Sequence, residues 1–225
     1  MKIFIGYDTR EDIAYQVCKH SIVRRQSEVD IRPLKQKELR DSGWYGRPED
    51  KLASTEFTIT RFLIPELTNF EGWALFLDCD IILTTDIKEL FDLADDKYAV
   101  MCVHHEYMVK SDLKMDGQKQ TTYPRKNWSS VMLFNCSHPS NKALTMNLVN
   151  DPEINGAYFH RFSWLKDEEI GELDHTWNYL VGIYDDIEIP KLIHYTEGGP
   201  WFENYRNCDF HKLWKQELVD MMDIK

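Results

Sequence analysis

The chain has 225 residues, with 38 Asp and Glu against 27 Lys and Arg and a formal charge of −11. That balance argues against a general nucleic-acid binder or a protein that adheres to anionic membranes, so a phosphate-bearing ligand needs local help from a cation, a few placed Arg or Lys, or backbone amides. No apolar run approaches the roughly 18 residues of a transmembrane helix. The five cysteines (Cys18, Cys79, Cys102, Cys136, Cys208) are odd in number and lack a C-x-x-C spacing. They fit reduced thiols in a cytosol, bacterial or, for a viral protein, that of the host. The opening residues pass straight into a strand pattern without a charged and then apolar leader.

In chain order, 2–7 reads as a buried strand, and Thr9 to Asp12 as a capping box opening a helix to about Gln26. A second strand covers 29–34, followed by a long surface loop over 35–51 with Gly43, Gly46 and Pro48. Ser54 or Thr55 caps a helix through Ile64 that Pro65 ends. Residues 73–77 form the next strand, Asp86 opens a short helix over 87–93, and 97–103 is a further strand. A polar irregular stretch over 104–127 leads into a strand over 129–134. Helices over 140–149 and 174–181 precede strands over 187–189 and 191–195. Phe210, Trp214, Leu218 and Met221 then repeat at the period of an amphipathic helix over 210–222, whose mixed charges favour docking on the domain over a membrane role. The alternation of strands and helices in the first hundred residues implies βαβ units, hence one α/β, Rossmann-like domain with a mainly parallel central sheet flanked by helices.

The sharpest feature is Phe76-Leu77-Asp78-Cys79-Asp80-Ile81-Ile82, two carboxylates two residues apart inside an aliphatic run. In an extended strand they share a face, about 7 Å apart along the backbone, while Cys79 points the other way. Carboxylates so placed repel unless a cation lies between them, and a hard divalent ion is the natural occupant. The plainer reading, in which Asp80 caps a turn and Asp78 is solvated at the strand end, stays open.

In its setting, F-L-D-C-D-I-I-L-x-x-D-I-x-E-L resembles the motif of the GT-A glycosyltransferases, particularly the family 8 group that includes glycogenin and bacterial galactosyltransferases. Five further segments occur in the order that family shows. Ile3 to Asp8 resembles its opening strand, which implies that Tyr7 stacks on a uracil and Asp8 accepts the base N–H. Thr58 to Pro65 is similar to the helix carrying an arginine before I-P, which implies that Arg61 meets the donor's sugar or phosphates and holds the nearby aspartates. Asn127 to Asn135 resembles the F-N-S-G-V strand that lets the sugar approach the backbone, with Trp128 in place of the asparagine and Ser130 in place of the glycine. Ser129 is the residue that carries over, and Asn127 is a candidate to replace the displaced amide. Leu173 to Asn178 resembles D-Q-x-x-x-N, with His175 for glutamine, which makes Asp174 and His175 catalytic-pocket candidates alongside Arg61. An acidic helix N-cap followed by an exposed histidine describes the same two residues.

The fifth segment, Ile193 to Trp201, resembles H-x-x-G-x-x-K-P-W, whose histidine is the third metal ligand. The resemblance therefore implies a metal set of Asp78, Asp80 and His194, suited to Mn²⁺ with Mg²⁺ as the alternative. It also implies a donor site including Tyr7, Asp8, Arg61, Asp78, Ser129, Gly198 and Gly199. Gly199 stands where the family has a phosphate-binding lysine; Lys191, Arg206 or the amides of Gly198 and Gly199 are substitutes. Trp44, Tyr45 and Arg47 are candidates to cover the donor or touch an acceptor, and His104, His105 and Glu106 to line the acceptor side; loop packing explains each equally well.

The implied activity is metal-dependent, configuration-retaining transfer of a hexose from a nucleoside diphosphate sugar, a UDP-sugar first, to a hydroxyl of a glycan or glycoconjugate. The nucleotide-binding half is expected over about 1–103, and the acceptor and metal-closing half over about 104–225. Two rivals stand beside it: a phosphohydrolase of the haloacid-dehalogenase type, and a non-catalytic sugar-nucleotide-binding module. The first is disfavoured because its D-x-D normally lies near the chain start and continues with a small residue, not Ile81-Ile82.

Overall fold

The computed structural model describes residues 1–48, 53–106 and 124–223. Strand β1 (Lys2–Tyr7), helix α1 (Asp12–Arg25) and strand β2 (Asp30–Lys35) form the first right-sized βαβ unit, with β1 and β2 parallel. The cap lies one residue earlier than the sequence pattern indicates. Asp8, not Thr9, accepts the Arg10 N–H at 2.9 Å and opens a 3-10 turn over Thr9–Glu11 ahead of α1.

The stretch expected as a loop over 35–51 contains a helix, α2 (Gln36–Asp41). Its residues are good helix formers, joined by a Lys37–Asp41 ion pair at 2.5 Å, and Gly43, at φ +79°, ends it. Lys51 lies outside the described residues. The helix expected to run to Pro65 is a series of turns and a 3-10 segment, Thr60–Leu63, after which Pro65 sits in the first turn of a short helix α3 (Ile64–Leu67). Proline has no N–H to lose in that position, so it starts this helix rather than ending one.

Strand β3 (Trp73–Leu77) is parallel to β1 and buried almost throughout. Beyond it come β4 (Ile81–Leu83), α4 (Lys88–Phe91) and β5 (Val100–Val103), which begins three residues later than expected. Much of the irregular stretch over 104–127 lies outside the described residues. Strand β6 (Val131–Asn135) starts after a 3-10 turn at Trp128–Ser130, so Ser129 is in that turn and not in the strand. The helix expected over 140–149 is divided into a 3-10 turn, Pro139–Ala143, and α5 (Met146–Asn150), which Thr145 caps. Helix α6 (Gly156–His160) and strand β7 (Ile170–Leu173) went unread in the sequence, both being four or five residues long with no clear period.

Residues 174–181 are not a helix. Asp174 caps a 3-10 turn over His175–Asn178, and β8 (Tyr179–Leu180) follows. An aromatic and aliphatic pair suits an added strand better than a helix interior. The strand expected over 187–189 does not form; β9 (Leu192–His194) begins beyond Pro190, which has no N–H for a ladder. Helix α7 (His211–Met222) ends the described chain and docks as expected, seating Trp214 against Val17, Ile82, Ile193 and Tyr195.

Six strands form the central sheet in the order β2-β1-β3-β6-β5-β7, and β4-β9-β8 form a smaller one. Strand β6 runs antiparallel to β3 and β5, while β1–β2, β1–β3 and β5–β7 are parallel pairs. The architecture is thus α/β with a mainly parallel sheet flanked by helices. What positions the site is the step from β3 to β4. Residues 78–80 leave the large sheet and enter the small one, where Ile81 pairs with His194.

Candidate active site

The Asp78-Cys79-Asp80 step is a bend between two sheets rather than the middle of a strand, and both ends are pinned. The Asp78 N–H donates to the Ser130 carbonyl at 2.9 Å, and the Tyr195 N–H donates to the Asp80 carbonyl at 2.9 Å. The bend turns Asp78, Asp80 and His194 toward one point: one ligand atom from each lies within 4.8 Å of the others. His194 Nε2 is 3.3 Å from Asp80 Oδ1, and both residues are largely buried. Cys79 points to the opposite side, as alternation requires, where its thiol donates to Glu11 Oε2 at 3.7 Å.

Arg61 braces this arrangement from behind. Its Nη1 donates to Asp78 Oδ1 at 2.8 Å and to the Ser129 carbonyl at 2.8 Å, and its Nε donates to the Phe57 carbonyl at 3.3 Å. The guanidinium lies over the Phe57 and Phe76 rings and is only 5 % exposed. Phe57 can pack this closely because residue 6 is glycine; a Cβ there would lie 2.4 Å from its ring. A fixed, permanently charged fork held this way orients Asp78.

The charge pattern is that of a cation site. Two carboxylates, with a third buried acid beneath them, converge with one imidazole, and oxygen with a single nitrogen donor suits a divalent ion such as Mn²⁺. Glu11, 2 % exposed, has its pKa raised well above the carboxylate range, first by burial and then by the charges of Asp80 and Asp8. The part of that shift that comes from Asp80 is repulsion of the kind a cation held by Asp80 would relieve.

A sequence model for glycosyl transferase family 8 matches residues 2–205, nearly the whole chain and all three converging ligands. The chain belongs to glycosyl transferase family 8. It is 53 % identical to Protein CDI of Arabidopsis thaliana over 225 residues, covering 97 % of this chain and 86 % of that protein. Among solved structures it resembles the glycosyltransferase GlyE of Streptococcus pneumoniae TIGR4, with a TM-score of 0.64 at 17 % identity over 97 % of this chain, while spanning 60 % of GlyE. It also resembles the galactosyltransferase LgtC in complex with donor and acceptor sugar analogues, with a TM-score of 0.58 at 10 % identity, covering 100 % of this chain and 98 % of that one. At such identities the likeness establishes the GT-A fold. With the family match it makes the protein a glycosyltransferase and sets aside the phosphohydrolase reading.

The other residues singled out in the sequence divide into two groups. Ser129 sits beside the bend: its Oγ is 2.7 Å from His160 Nδ1, and its carbonyl holds Arg61. No motif pointed to His160, whose pKa is pushed down to about 3 by burial and then by Arg61, so the ring is neutral. His105 also joins the site, with its pKa pushed down to about 3 by burial and then by His194. Asn178, the last residue of the D-Q-x-x-x-N-like segment but given no role there, is fully buried and bonds both His105 and His194.

The nucleotide-end residues are placed differently from expectation. Both Asp8 oxygens are engaged, by the Arg10 N–H and guanidinium and by the Glu56 N–H at 3.1 Å. Burial pushes the Asp8 carboxyl up, but these donors outweigh it and leave its pKa below the usual value. Tyr7 donates to Asp12 Oδ1 at 2.8 Å, and Lys35 lies over its ring. Asp174 is exposed and accepts from the Thr176 N–H at 3.0 Å and from the Thr176 hydroxyl, which holds its pKa down. His175 pairs with Asp186 at 2.9 Å.

The glycine in place of the family's lysine has a steric explanation. A Cβ on Gly199 would lie 2.0 Å from the Trp201 ring, and Gly198 adopts φ +132°, which favours glycine. Lys191 is bound to Glu89 at 3.0 Å and lies over Trp177. Arg47 is a packing residue: it donates to the carbonyls of Val149, Asp151 and Ile154. His104 stacks on Trp128 with ring centroids 3.9 Å apart.

Proposed function

We propose that the protein is a metal-dependent, configuration-retaining hexosyltransferase that takes its sugar from a nucleoside diphosphate donor, a UDP-sugar first, and passes it to a hydroxyl of a glycan or glycoconjugate. The convergence of Asp78, Asp80 and His194 carries this reading. These three would hold Mn²⁺ or Mg²⁺, and when bound the ion supplies Lewis-acid neutralisation of the charge that develops on the departing diphosphate. Such a charge-neutralising centre explains how a chain of charge −11 accepts an anionic donor.

The chain's own residues then divide the work. Arg61 fixes Asp78, and the backbone amides of Gly198 and Gly199 are the donors proposed for the phosphates in place of a lysine. Tyr7 and Asp8 mark the base end, where Asp8 shapes the turn through Arg10 and Glu56 rather than offering a free oxygen. Ser129 faces the donor sugar, and Asp174 and His175 lie on the acceptor side with His105 and Tyr184. The nucleotide-binding half is assigned to about 1–103 and the rest to the acceptor and metal closure. The described cysteines are all free, which fits a reducing cytosol. No described helix is long and apolar enough to cross a membrane.

Calorimetric titration of UDP and GDP with and without Mn²⁺, followed by donor hydrolysis across UDP-glucose, UDP-galactose and other donors, tests the reading. Mn²⁺-dependent UDP binding with hydrolysis of one donor is expected. Nucleotide binding that ignores the metal would sink the metal-centred mechanism, and binding without turnover of any donor would favour a sugar-nucleotide-binding module.

A further inference from the structure

Asn178 connects two walls of the site. It is fully buried, on the 3-10 turn that precedes β8, and all of its amide atoms are engaged. The nitrogen lies 2.9 Å from Ser130 Oγ and 3.3 Å from the Asn127 carbonyl. Ser130 already donates its hydroxyl hydrogen to that same Asn127 carbonyl at 2.6 Å, so it offers Asn178 only lone pairs. Both neighbours accept, and the group facing them must be the NH₂. The second amide hydrogen points to His105 Nε2 at 2.9 Å, whose other nitrogen meets the Tyr184 hydroxyl at 2.8 Å.

That assignment has a consequence at the opposite end of the amide. Asn178 Oδ1 lies 2.8 Å from His194 Nδ1, and an amide oxygen can only accept. His194 Nδ1 therefore carries the hydrogen, and in the neutral ring Nε2 is left with its lone pair facing Asp80 Oδ1 at 3.3 Å. Without this constraint the opposite tautomer would win, because an Nε2–H would donate to Asp80. That hydrogen would occupy the line along which a cation must be held.

We propose that Ser130 and Asn178 form a positioning pair that holds His194 in its Nδ1–H tautomer and so keeps Nε2 available to a divalent ion. The role passes from a backbone carbonyl through a hydroxyl and an amide to the ring. A partner on the far nitrogen of a metal-binding histidine fixes both tautomer and ring orientation. The inference rests on the metal reading above for its purpose, but the tautomer itself is a property of the metal-free protein and can be measured there.

The test uses the full chain labelled with ¹⁵N-histidine, at a pH where the imidazole is neutral, with Mn²⁺ binding followed separately by the paramagnetic resonance of the free ion. Wild type is expected to show His194 protonated at Nδ1. Asn178→Ala should convert it to the Nε2–H form and weaken Mn²⁺ binding by about 10–100-fold. Asn178→Asp, whose carboxylate still accepts from Nδ1 while the Ser130 hydroxyl turns to donate to its other oxygen, should keep the tautomer and hold affinity within a few-fold. A residue that mattered only for packing would not be rescued this way.

Should Asn178→Ala fail to fold by circular dichroism, Asn178→Leu, of similar volume and without an acceptor, serves instead, with the Nε2–H form appearing and a comparable loss of affinity. An Nε2–H ring in wild type overturns the proposal. So does a folded Asn178→Ala protein, or in its place a folded Asn178→Leu protein, that retains the Nδ1–H ring and wild-type affinity. A wild type that binds no Mn²⁺ yet shows the Nδ1–H ring, lost in the variants, would defeat the metal reading and leave the tautomer assignment standing.

Discussion

The junction at Asp78, Asp80 and His194 and the rim at Asp174, His175 and Asp186 are built on opposite plans. At the junction each side chain is buried or nearly so and held by a partner from a distant part of the chain, as Arg61 holds Asp78 and Asn178 holds His194. At the rim Asp174 is exposed and bonded to Thr176, two residues away, and His175 pairs with Asp186 eleven residues on. Long-range bracing in a low dielectric holds charged groups in one arrangement, as the proposed metal and diphosphate site requires. Local bonds in water leave a surface free to adapt, which suits an acceptor.

This contrast is broken most directly at its rigid side. Asp80→Asn should remove Mn²⁺-dependent donor hydrolysis by on the order of 10²–10³-fold, measured as kcat, because one of the charges that faces the cation is gone. Undiminished turnover would place the chemistry elsewhere. Next in size, Arg61→Met leaves the half-buried Asp78 carboxylate without its guanidinium. We expect a loss of about 3–5 kcal/mol in denaturant unfolding, discounted toward the lower end because Asp78 retains some contact with solvent.

Glu11 sharpens the comparison through pH. Its pKa is raised in the fold, so the folded protein binds this proton more tightly than the unfolded chain and stability falls as pH rises above the unfolded value. Glu11→Gln should therefore gain thermal stability relative to wild type as pH climbs from 5 toward 8, with little difference at the acid end. Saturating Mn²⁺ should narrow the gap, since a cation at Asp80 relieves the repulsion. A gap that does not change with pH would show that Glu11 is not the buried acid described. The smallest effect belongs to the rim. Asp174→Asn keeps an N-cap acceptor, so stability should change by less than about 0.5 kcal/mol and turnover by less than threefold. A large drop in kcat with an unchanged Tm would move Asp174 into the reacting centre.

Much of the site was legible as residue types in order. An aliphatic run broken by two acids, an arginine before Ile-Pro, and a histidine before Gly-Gly-Pro-Trp identified the family and contain the three side chains that converge, because each motif is local and carries its own chemistry. The reading failed where a short segment takes its conformation from what it packs against. Residues 174–181 look helical by period, yet they turn and join β9, since β9 offers a free edge and Tyr179 and Leu180 gain more by pairing there. His160 carried no signal, and Asn178 only its place at the end of a motif, because a buried polar side chain is defined by its partners, and theirs lie sixteen or more residues away.

By itself, the sequence determined the α/β class, the order of its main strands, the acidic balance of the chain, and the identity of Asp78, Asp80 and His194, the three side chains that converge. Only the tertiary structure decided that the two aspartates lie on a bend between two sheets, that Asp8 is held by Arg10 and Glu56, that Gly199 answers to the Trp201 ring, and that Asn178 reads out the tautomer of His194. Side-chain chemistry is a property of the residue, and a motif exposes it. Bond direction, close approach and desolvation are properties of pairs brought together by the fold, and no single stretch of chain contains them.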